Sequence, residues 1–142
     1  MTDRLGTVET SLPIMLLRAR EAVMQRFRPM LKAHGLSEQQ WRVLRVLNEN
    51  GPSEPTVLAE QSVILTPSLT RILAHLEGRG LIARTRHPED GRRQLTELTA
   101  QGRKMIEEIT PESAAIYADL TAAFGPENTQ GLMQALRRLT AL

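Results

Sequence analysis

Apolar residues recur every three or four positions along most of the chain, a spacing that predicts a protein built largely of α helices. The first such segment is capped by Ser11 and runs to about Ala33. The second begins after Ser37 and reaches Asn48, and Ser37 with Gln40 three residues later matches a capping box. We therefore expect two consecutive helices before the middle of the chain.

Two shorter helical segments, separated by a break, occupy the middle of the chain. The first spans residues 56–61, and the second opens at Thr66, which we expect to be its N-cap, with Pro67 in the first helical turn. Gly80 is expected to end the second segment as the residue just past its C-terminus. The core-facing positions of that segment repeat at helical spacing and comprise Leu69, Ile72, Leu73 and Leu76.

The hydrophobic period changes from helical to alternating after Gly80. Residues 81–86 and 93–98 each alternate polar and apolar side chains, and the intervening residues 87–92 contain the Pro, Asp and Gly of a tight turn. This pattern predicts a basic β-hairpin. A helix–turn–helix followed by a basic hairpin is a winged helix, an architecture that binds DNA. The predicted fold class is mostly α with a small β-hairpin wing.

A long helix is predicted from Ala100 to about Phe124, kinked by Pro111, and a last helix from Glu127 to Leu142. The first predicted helix carries an apolar arc too broad for a single neighbour, and the last one also has an apolar face. We expect the terminal helices of two chains to pack around a two-fold axis, giving a dimer built from the N- and C-terminal helices. A monomeric bundle beside the winged helix is the alternative.

Positive charge is concentrated in the predicted winged helix. Residues 61–104 contain eight Lys or Arg and four Asp or Glu, a net charge of +4 in a chain whose total is +2. Because DNA binding requires local positive charge to neutralise phosphates, this distribution favours DNA binding over a winged helix that never contacts DNA. The predicted DNA-binding residues are Thr66, Pro67, Ser68, Thr70, Arg71, Arg84, Arg86, Asp90, Arg92 and Arg93.

The sequence argues against an enzyme, a metalloprotein and a membrane protein. It has no cysteine, and His34, His75 and His87 fall on three different predicted elements, so these residues assemble no zinc or nucleophile site. No apolar run approaches the roughly 20 residues of a membrane span. We expect a cytoplasmic protein without enzymatic activity, cofactor or membrane partner.

Several segments resemble the MarR family of bacterial transcriptional regulators. They are LEGRGLIAR at 76–84, PEDGRR at 88–93, LTAQGR at 98–103 and LSEQQWRVL at 36–44. The resemblance implies one domain over residues 1–142, with dimerisation helices in 11–34 and 100–142 and a winged helix-turn-helix in 36–99. It also implies that Arg92 enters the DNA minor groove, where Asp90 is expected to hold it by a charge-assisted hydrogen bond.

Within that family, three segments look most like regulators of homoprotocatechuate (aromatic acid) degradation operons. They are AREA at 19–22, FRP at 27–29 and EQQWR at 38–42. This resemblance implies that the protein senses a small aromatic carboxylate.

Two arginines, Arg20 and Arg26, fall inside the apolar arc of the first predicted helix. An arginine fork can hold a carboxylate by two parallel hydrogen bonds, and the apolar neighbours of Arg20 suit an aromatic ring. The predicted ligand-binding residues are Arg20, Arg18, Arg26, His34, Trp41 and Arg45. The alternative is that Arg20 and Arg26 form interface salt bridges, for example with Glu21 or Glu108 of the partner subunit.

These features predict a sequence-specific transcriptional repressor of an aromatic-acid catabolic operon, released from DNA by a small aromatic carboxylate. The expected partners are palindromic double-stranded operator DNA, the aromatic effector and a second copy of the chain. The competing hypothesis is a ligand-blind dimeric module that binds DNA or protein. Binding of hydroxylated phenylacetates or cinnamates separates the two hypotheses.

Overall fold

Helices dominate the computed structural model, which describes residues 5–142. The elements of this part of the chain, after a short 3-10 turn at Val8–Thr10, are α1 (Leu12–Ala33), α2 (Glu38–Asn50), α3 (Pro55–Ser62), α4 (Thr66–Gly78), β1 (Ile82–Arg86), β2 (Gln94–Leu98), α5 (Ala100–Phe124) and α6 (Pro126–Thr140). The predicted fold class, mostly helical with a hairpin between the fourth and fifth helices, is confirmed.

The chain divides into two compact units, each described here by itself. Met30–Pro111 forms one, which we name the winged-helix unit, and residues 5–29 with Glu112–Leu142 form the other, the terminal unit. Both boundaries fall beside a proline inside a helix, Pro29 in α1 and Pro111 in α5. Each helix continues through its proline, and the kink expected at Pro111 stays a prediction.

The winged-helix unit has a tightly packed aliphatic core. The predicted buried face of α4 is confirmed, since Leu69, Ile72, Leu73 and Leu76 are all buried. The other large, fully buried side chains of this unit come from every neighbouring element and comprise Leu31, Val43, Leu44, Leu47, Leu58, Leu81 and Ile109. Burial of this kind contributes about 1.5–3 kcal/mol per large aliphatic side chain relative to exposure, and it fixes the outward face of α4.

The hairpin is antiparallel and runs in register from Ile82 opposite Leu98 to Arg86 opposite Gln94. Ser53 adds a single bridge to its second strand, because Ser53 and Thr96 exchange two backbone hydrogen bonds of 2.9 Å each. The segment that precedes α3 therefore pairs with the middle of the second strand of the hairpin.

Three of the predicted helix ends are confirmed and one is wrong. The Ser11 hydroxyl caps α1 by accepting the Ile14 N–H at 3.4 Å. Ser37 and Gln40 form the capping box, with hydrogen bonds of 3.0 and 3.1 Å. Gly80, at φ +75°, follows the C-cap of α4. Thr66, by contrast, is the first helical residue and not the N-cap: Leu65 holds that position, because its carbonyl already accepts the Leu69 N–H at 3.0 Å.

The start of α5 packs directly against the backbone that joins α4 to β1. The Thr99 hydroxyl accepts a hydrogen bond from the Gly102 N–H at 3.0 Å and donates one to the Gly80 carbonyl at 2.6 Å. The Thr99 N–H donates to the Leu81 carbonyl at 3.1 Å. A Cβ on Gly102 would lie 2.1 Å from that same carbonyl oxygen, so only glycine fits at this position.

The terminal unit leaves most of its apolar surface uncovered. Among its described residues, Phe27 alone is buried, and α6 contains no buried residue. The large apolar side chains more than a third exposed in this unit are Leu5, Val8, Leu12, Met15, Leu16, Leu17, Tyr117, Phe124, Leu132, Met133 and Leu142. A soluble monomer rarely exposes so many large apolar groups on a few helices.

Candidate functional site

The first turn of α4 presents the residues predicted to read DNA. Thr66, Pro67, Thr70 and Arg71 are exposed and Ser68 is half-buried, while the opposite face of the helix is in the core. Two prolines and a short turn set this geometry locally: α3 begins with a proline, and α4 has one in its first turn. The N-terminal end of α4 thus projects short polar groups and one long cation outward.

The turn at the tip of the wing, between β1 and β2, is organised by Asp90. Its Oδ1 accepts a hydrogen bond from the backbone N–H of Arg92 at 3.0 Å, and its carbonyl accepts one from the Arg93 N–H at 3.0 Å. The Arg93 carbonyl in turn accepts the His87 N–H at 2.7 Å. The expected hydrogen bond between Asp90 and Arg92 is thus present, but it runs from the Arg92 backbone N–H, which an Asx turn brings within reach of the carboxylate. Whether Arg92 enters the minor groove stays a prediction.

Two of the predicted DNA-binding arginines are tied to acidic residues of the winged-helix unit. The Arg84 Nε lies 3.6 Å from the Glu77 Oε1 on α4, and Arg93 forms an ion pair with Glu54, the N-cap residue of α3. These pairs connect the hairpin to both helices. They also reduce the positive charge that the two arginines offer to a phosphate.

Three other arginines of the predicted interface are exposed: Arg71 on α4, Arg86 at the end of β1 and Arg92 in the turn. Within residues 5–142, none of the three forms an ion pair with an acidic side chain. Their charge is available to an external anion. These three side chains therefore carry the positive potential of this face.

Arg79 is one of the eight cations counted in residues 61–104, but its guanidinium is bound within the winged-helix unit. Its guanidinium donates to the carbonyls of Gly35 at 2.7 Å and His34 at 3.1 Å, which end α1. A cation at a helix C-terminus satisfies carbonyls that have no intrahelical partner and interacts favourably with the helix dipole. Sequence patterns missed this role because it joins residues that are far apart in the chain.

The predicted ligand-binding residues fall on both units. Arg18, Arg20 and Arg26 lie on the part of α1 that belongs to the terminal unit, and all three are exposed. Those in the winged-helix unit differ in environment: His34 is half-buried, Trp41 is buried and Arg45 is exposed. Trp41 and Arg45 stand one turn apart on α2, as expected from their spacing.

Arg28, a neighbour of these arginines, forms a bidentate salt bridge with Glu21. The Arg28 Nη2 lies 2.7 Å from the Glu21 Oε2, and the second pair joins the remaining nitrogen and oxygen. The hydrogen bond from Arg28 is the main cause that lowers the pKa of Glu21, and the charges of Arg28 and Arg20 lower it further. Glu21 is thus engaged within its own chain.

An aromatic pair lies on the same side of α1 as Arg20. The rings of Phe27 and Tyr117 have centroids 4.8 Å apart and an interplanar angle of 57°. Tyr117 remains 48% exposed, so its ring and hydroxyl are accessible. The sequence did not single out Tyr117 as a candidate, since helical periodicity does not reveal which helix a residue meets.

Neither a metal site nor a membrane-spanning helix is found among the described residues. No group of three or more His, Cys, Asp or Glu side chains in residues 5–142 is placed to hold a metal ion. Nor is any helix in that range both long enough and apolar enough to cross a membrane.

Comparison with known proteins gives consistent matches over most of the chain. The sequence model of the MarR family matches residues 36–93. The homoprotocatechuate degradative operon repressor of Escherichia coli is 39% identical over 132 residues, which cover 93% of this chain and 89% of the repressor. Among solved structures, NadR in complex with 4-hydroxyphenylacetate is 40% identical with a TM-score of 0.81, covering 98% of this chain and 96% of NadR. The repressor CouR bound to a 23-mer DNA duplex is 30% identical with a TM-score of 0.86, covering 99% of both chains.

Proposed function

The chain belongs to the MarR family of transcriptional regulators, and we propose that it represses an aromatic-acid catabolic operon until a small aromatic carboxylate releases it from the operator. Members of this family are regulators and not enzymes. The observation that carries the DNA-binding part is the exposed first turn of α4 beside the exposed cations of the wing. The position of α4 in a helix–turn–helix makes it the recognition helix, which enters the major groove.

A dimer completes this proposal. The uncovered apolar side chains of the terminal unit need a partner surface, and a second copy of the same unit supplies one around a two-fold axis. Two recognition helices separated by about 34 Å would reach successive major grooves, and the operator would then be a palindrome.

The effector hypothesis rests on Arg20 and the Phe27–Tyr117 pair. Arg20 precedes Phe27 by seven residues, so the two lie on one side of α1, about 10 Å apart along its axis. An arginine fork can take the carboxylate of an aromatic acid, and the exposed Tyr117 ring offers a stacking surface with a hydroxyl for a ring substituent. The relative crystallised with 4-hydroxyphenylacetate binds a molecule of this chemistry.

The proposal is tested by titrating the protein onto a duplex that it selects from a random-sequence pool, with and without aromatic acids. We expect 4-hydroxyphenylacetate or a related hydroxylated phenylacetate or cinnamate to weaken binding by a factor in the range of about 5–150. Benzyl alcohol and phenol, which lack the carboxylate, serve as controls and should have little effect. A duplex affinity that no aromatic acid changes would support the ligand-blind module instead.

Arg71→Ala should weaken operator binding by about 1–3 kcal/mol and relax the preference at one base position, if Arg71 binds a guanine edge through its fork. A phosphate contact would instead weaken all sequences equally and reduce the salt slope by about one. Anisotropy titrations against single-base operator variants distinguish the two results. Lys104→Ala, an exposed cation of α5 outside the predicted contacts, is the matched control. Unchanged affinity for every duplex would remove Arg71 from the interface.

Asp90→Ala should weaken DNA binding although it removes a negative charge. The carboxylate holds the Arg92 N–H, so its loss frees the turn that positions the Arg92 side chain. Glu89→Ala removes the neighbouring acidic charge without that hydrogen bond and should leave affinity unchanged or slightly higher. Titrating both variants and Arg92→Ala against the same duplex measures the difference. Equal tightening by Asp90→Ala and Glu89→Ala would mean that only charge matters in the wing.

A further inference from the structure

Three large apolar side chains are more than a third exposed within the described residues of the winged-helix unit. Val57 on α3 is 40% exposed, and Val63 and Leu65 in the turn between α3 and α4 are 81% and 79% exposed. Ile64 between them is buried and anchors the turn in the core. The two most exposed of the three therefore lie directly before the recognition helix.

The turn that contains Val63 and Leu65 has an unusual backbone conformation for the residues it holds. Three helices of the chain end with the same arrangement, in which an N–H donates to the carbonyl five residues back: Leu36 to Leu31, Ile64 to Ala59 and Leu81 to Leu76. The residue before each donor has a positive φ, namely Gly35, Val63 and Gly80.

Glycine occupies this left-handed position twice, as expected, because it has no Cβ to clash. Val63 occupies it at φ 56° and ψ 54°, although a β-branched residue is strained there. The valine side chain gains no burial in return, since it is almost fully exposed. A strained and solvated side chain at this point indicates a contact that the isolated protein does not make.

We propose that Val63 and Leu65 read thymine by contacting its 5-methyl group in the major groove, an inference that rests on the proposed DNA-binding function. The thymine methyl is the apolar feature of the major groove, and apolar side chains recognise it. Leu65 is the N-cap of α4 and directly precedes Thr66 and Pro67, so its side chain lies beside the turn that approaches the bases. Arg71 one turn further on supplies the cation that DNA requires.

Replacing single thymines by deoxyuridine in the duplex selected by the wild-type protein tests this directly, because the two bases differ only in that methyl. At one or two thymines of each half-site, the substitution should weaken wild-type binding about fourfold. This factor corresponds to the loss of one methyl group's burial in the interface. Leu65→Ala should bind the thymine duplex more weakly and lose the discrimination at its own position. Arg71→Ala is the control: it should bind more weakly but keep the fourfold difference.

Val63→Gly provides an independent readout. Glycine relieves the left-handed strain at position 63. The melting temperature of the variant should therefore equal or exceed that of the wild type, while the affinity of the variant for the thymine duplex falls. Loss of affinity without loss of stability identifies a contact and not a folding defect.

The experiments distinguish a failure of this inference from a failure of the proposed function. A selected duplex in which deoxyuridine at every thymine leaves wild-type affinity unchanged overturns this inference and leaves the proposed function intact. Equal losses by Leu65→Ala on thymine and deoxyuridine duplexes also overturn it. A protein that selects no duplex contradicts the proposed function, and this inference with it.

Discussion

Gly102→Ala is expected to destabilise the winged-helix unit by about 3 kcal/mol or more and to lower the melting temperature by about 10 °C or more. The added Cβ would stand 2.1 Å from the Leu81 carbonyl oxygen, far inside van der Waals contact. That oxygen cannot move away freely, because it accepts the Thr99 N–H and belongs to a residue that is 1% exposed. Either α5 or the start of β1 has to shift.

Chemical and thermal unfolding of the purified variant measure this loss. Gly78→Ala is the matched control, since Gly78 ends α4 in the same unit and a Cβ there meets nothing within 4 Å. That control should be neutral or slightly stabilising, because alanine favours a helix over glycine by up to about 1 kcal/mol. A Gly102→Ala variant as stable as Gly78→Ala would mean that the close approach of α5 to Leu81 does not exist.

The two glycines at this junction show what sequence patterns can and cannot predict. The end of α4 at Gly80 was predictable because turn chemistry is local: a left-handed residue must follow the helix, and glycine adopts that conformation freely. The role of Gly102 was not predictable, because the clash that excludes a side chain comes from a residue on another element. Even local chemistry misassigned Thr66 as the N-cap, since the Leu65 carbonyl accepts the Leu69 N–H and the N-cap is therefore one residue earlier.

The same distinction applies to the candidate DNA interface. Counting charges located the basic region, and the pattern of α4 predicted which of its residues face outward. It did not reveal which arginines have partners, because ion pairs such as Arg84 with Glu77 depend on how the hairpin packs against α4. Nor did it reveal the exposed Val63, since an apolar residue in a turn is expected to be buried.

The proposed effector site is the part that sequence patterns predict least, because it depends most on tertiary structure. Arg20 was identifiable as a charge within an apolar helical arc, and its chemistry suits a carboxylate. Tyr117 became a candidate only when the structure placed its ring against Phe27. Periodicity assigns a residue to a face of its helix, whereas a binding site is formed by side chains from several helices.

Arg20→Ala should abolish the response to an aromatic acid while leaving operator affinity near that of the wild type. The reason is that the carboxylate loses its fork, whereas the residues proposed to contact DNA lie in the winged-helix unit and are unchanged. Arg20→Lys keeps the charge but loses the two parallel hydrogen bonds, so it should retain only part of the response. Lys32→Ala, an exposed cation at the other end of α1, is the control and should respond normally.

Thermodynamic linkage makes this prediction quantitative. If the acid weakens operator binding by a given factor, typically about 5–150-fold, the operator must weaken acid binding by the same factor. Calorimetric titration of 4-hydroxyphenylacetate into the free protein and into its operator complex measures the second factor. In Arg20→Ala both factors should fall to one. A variant that no longer dimerises by light scattering would identify Arg20 as an interface residue, and the sensor hypothesis would lose its main support.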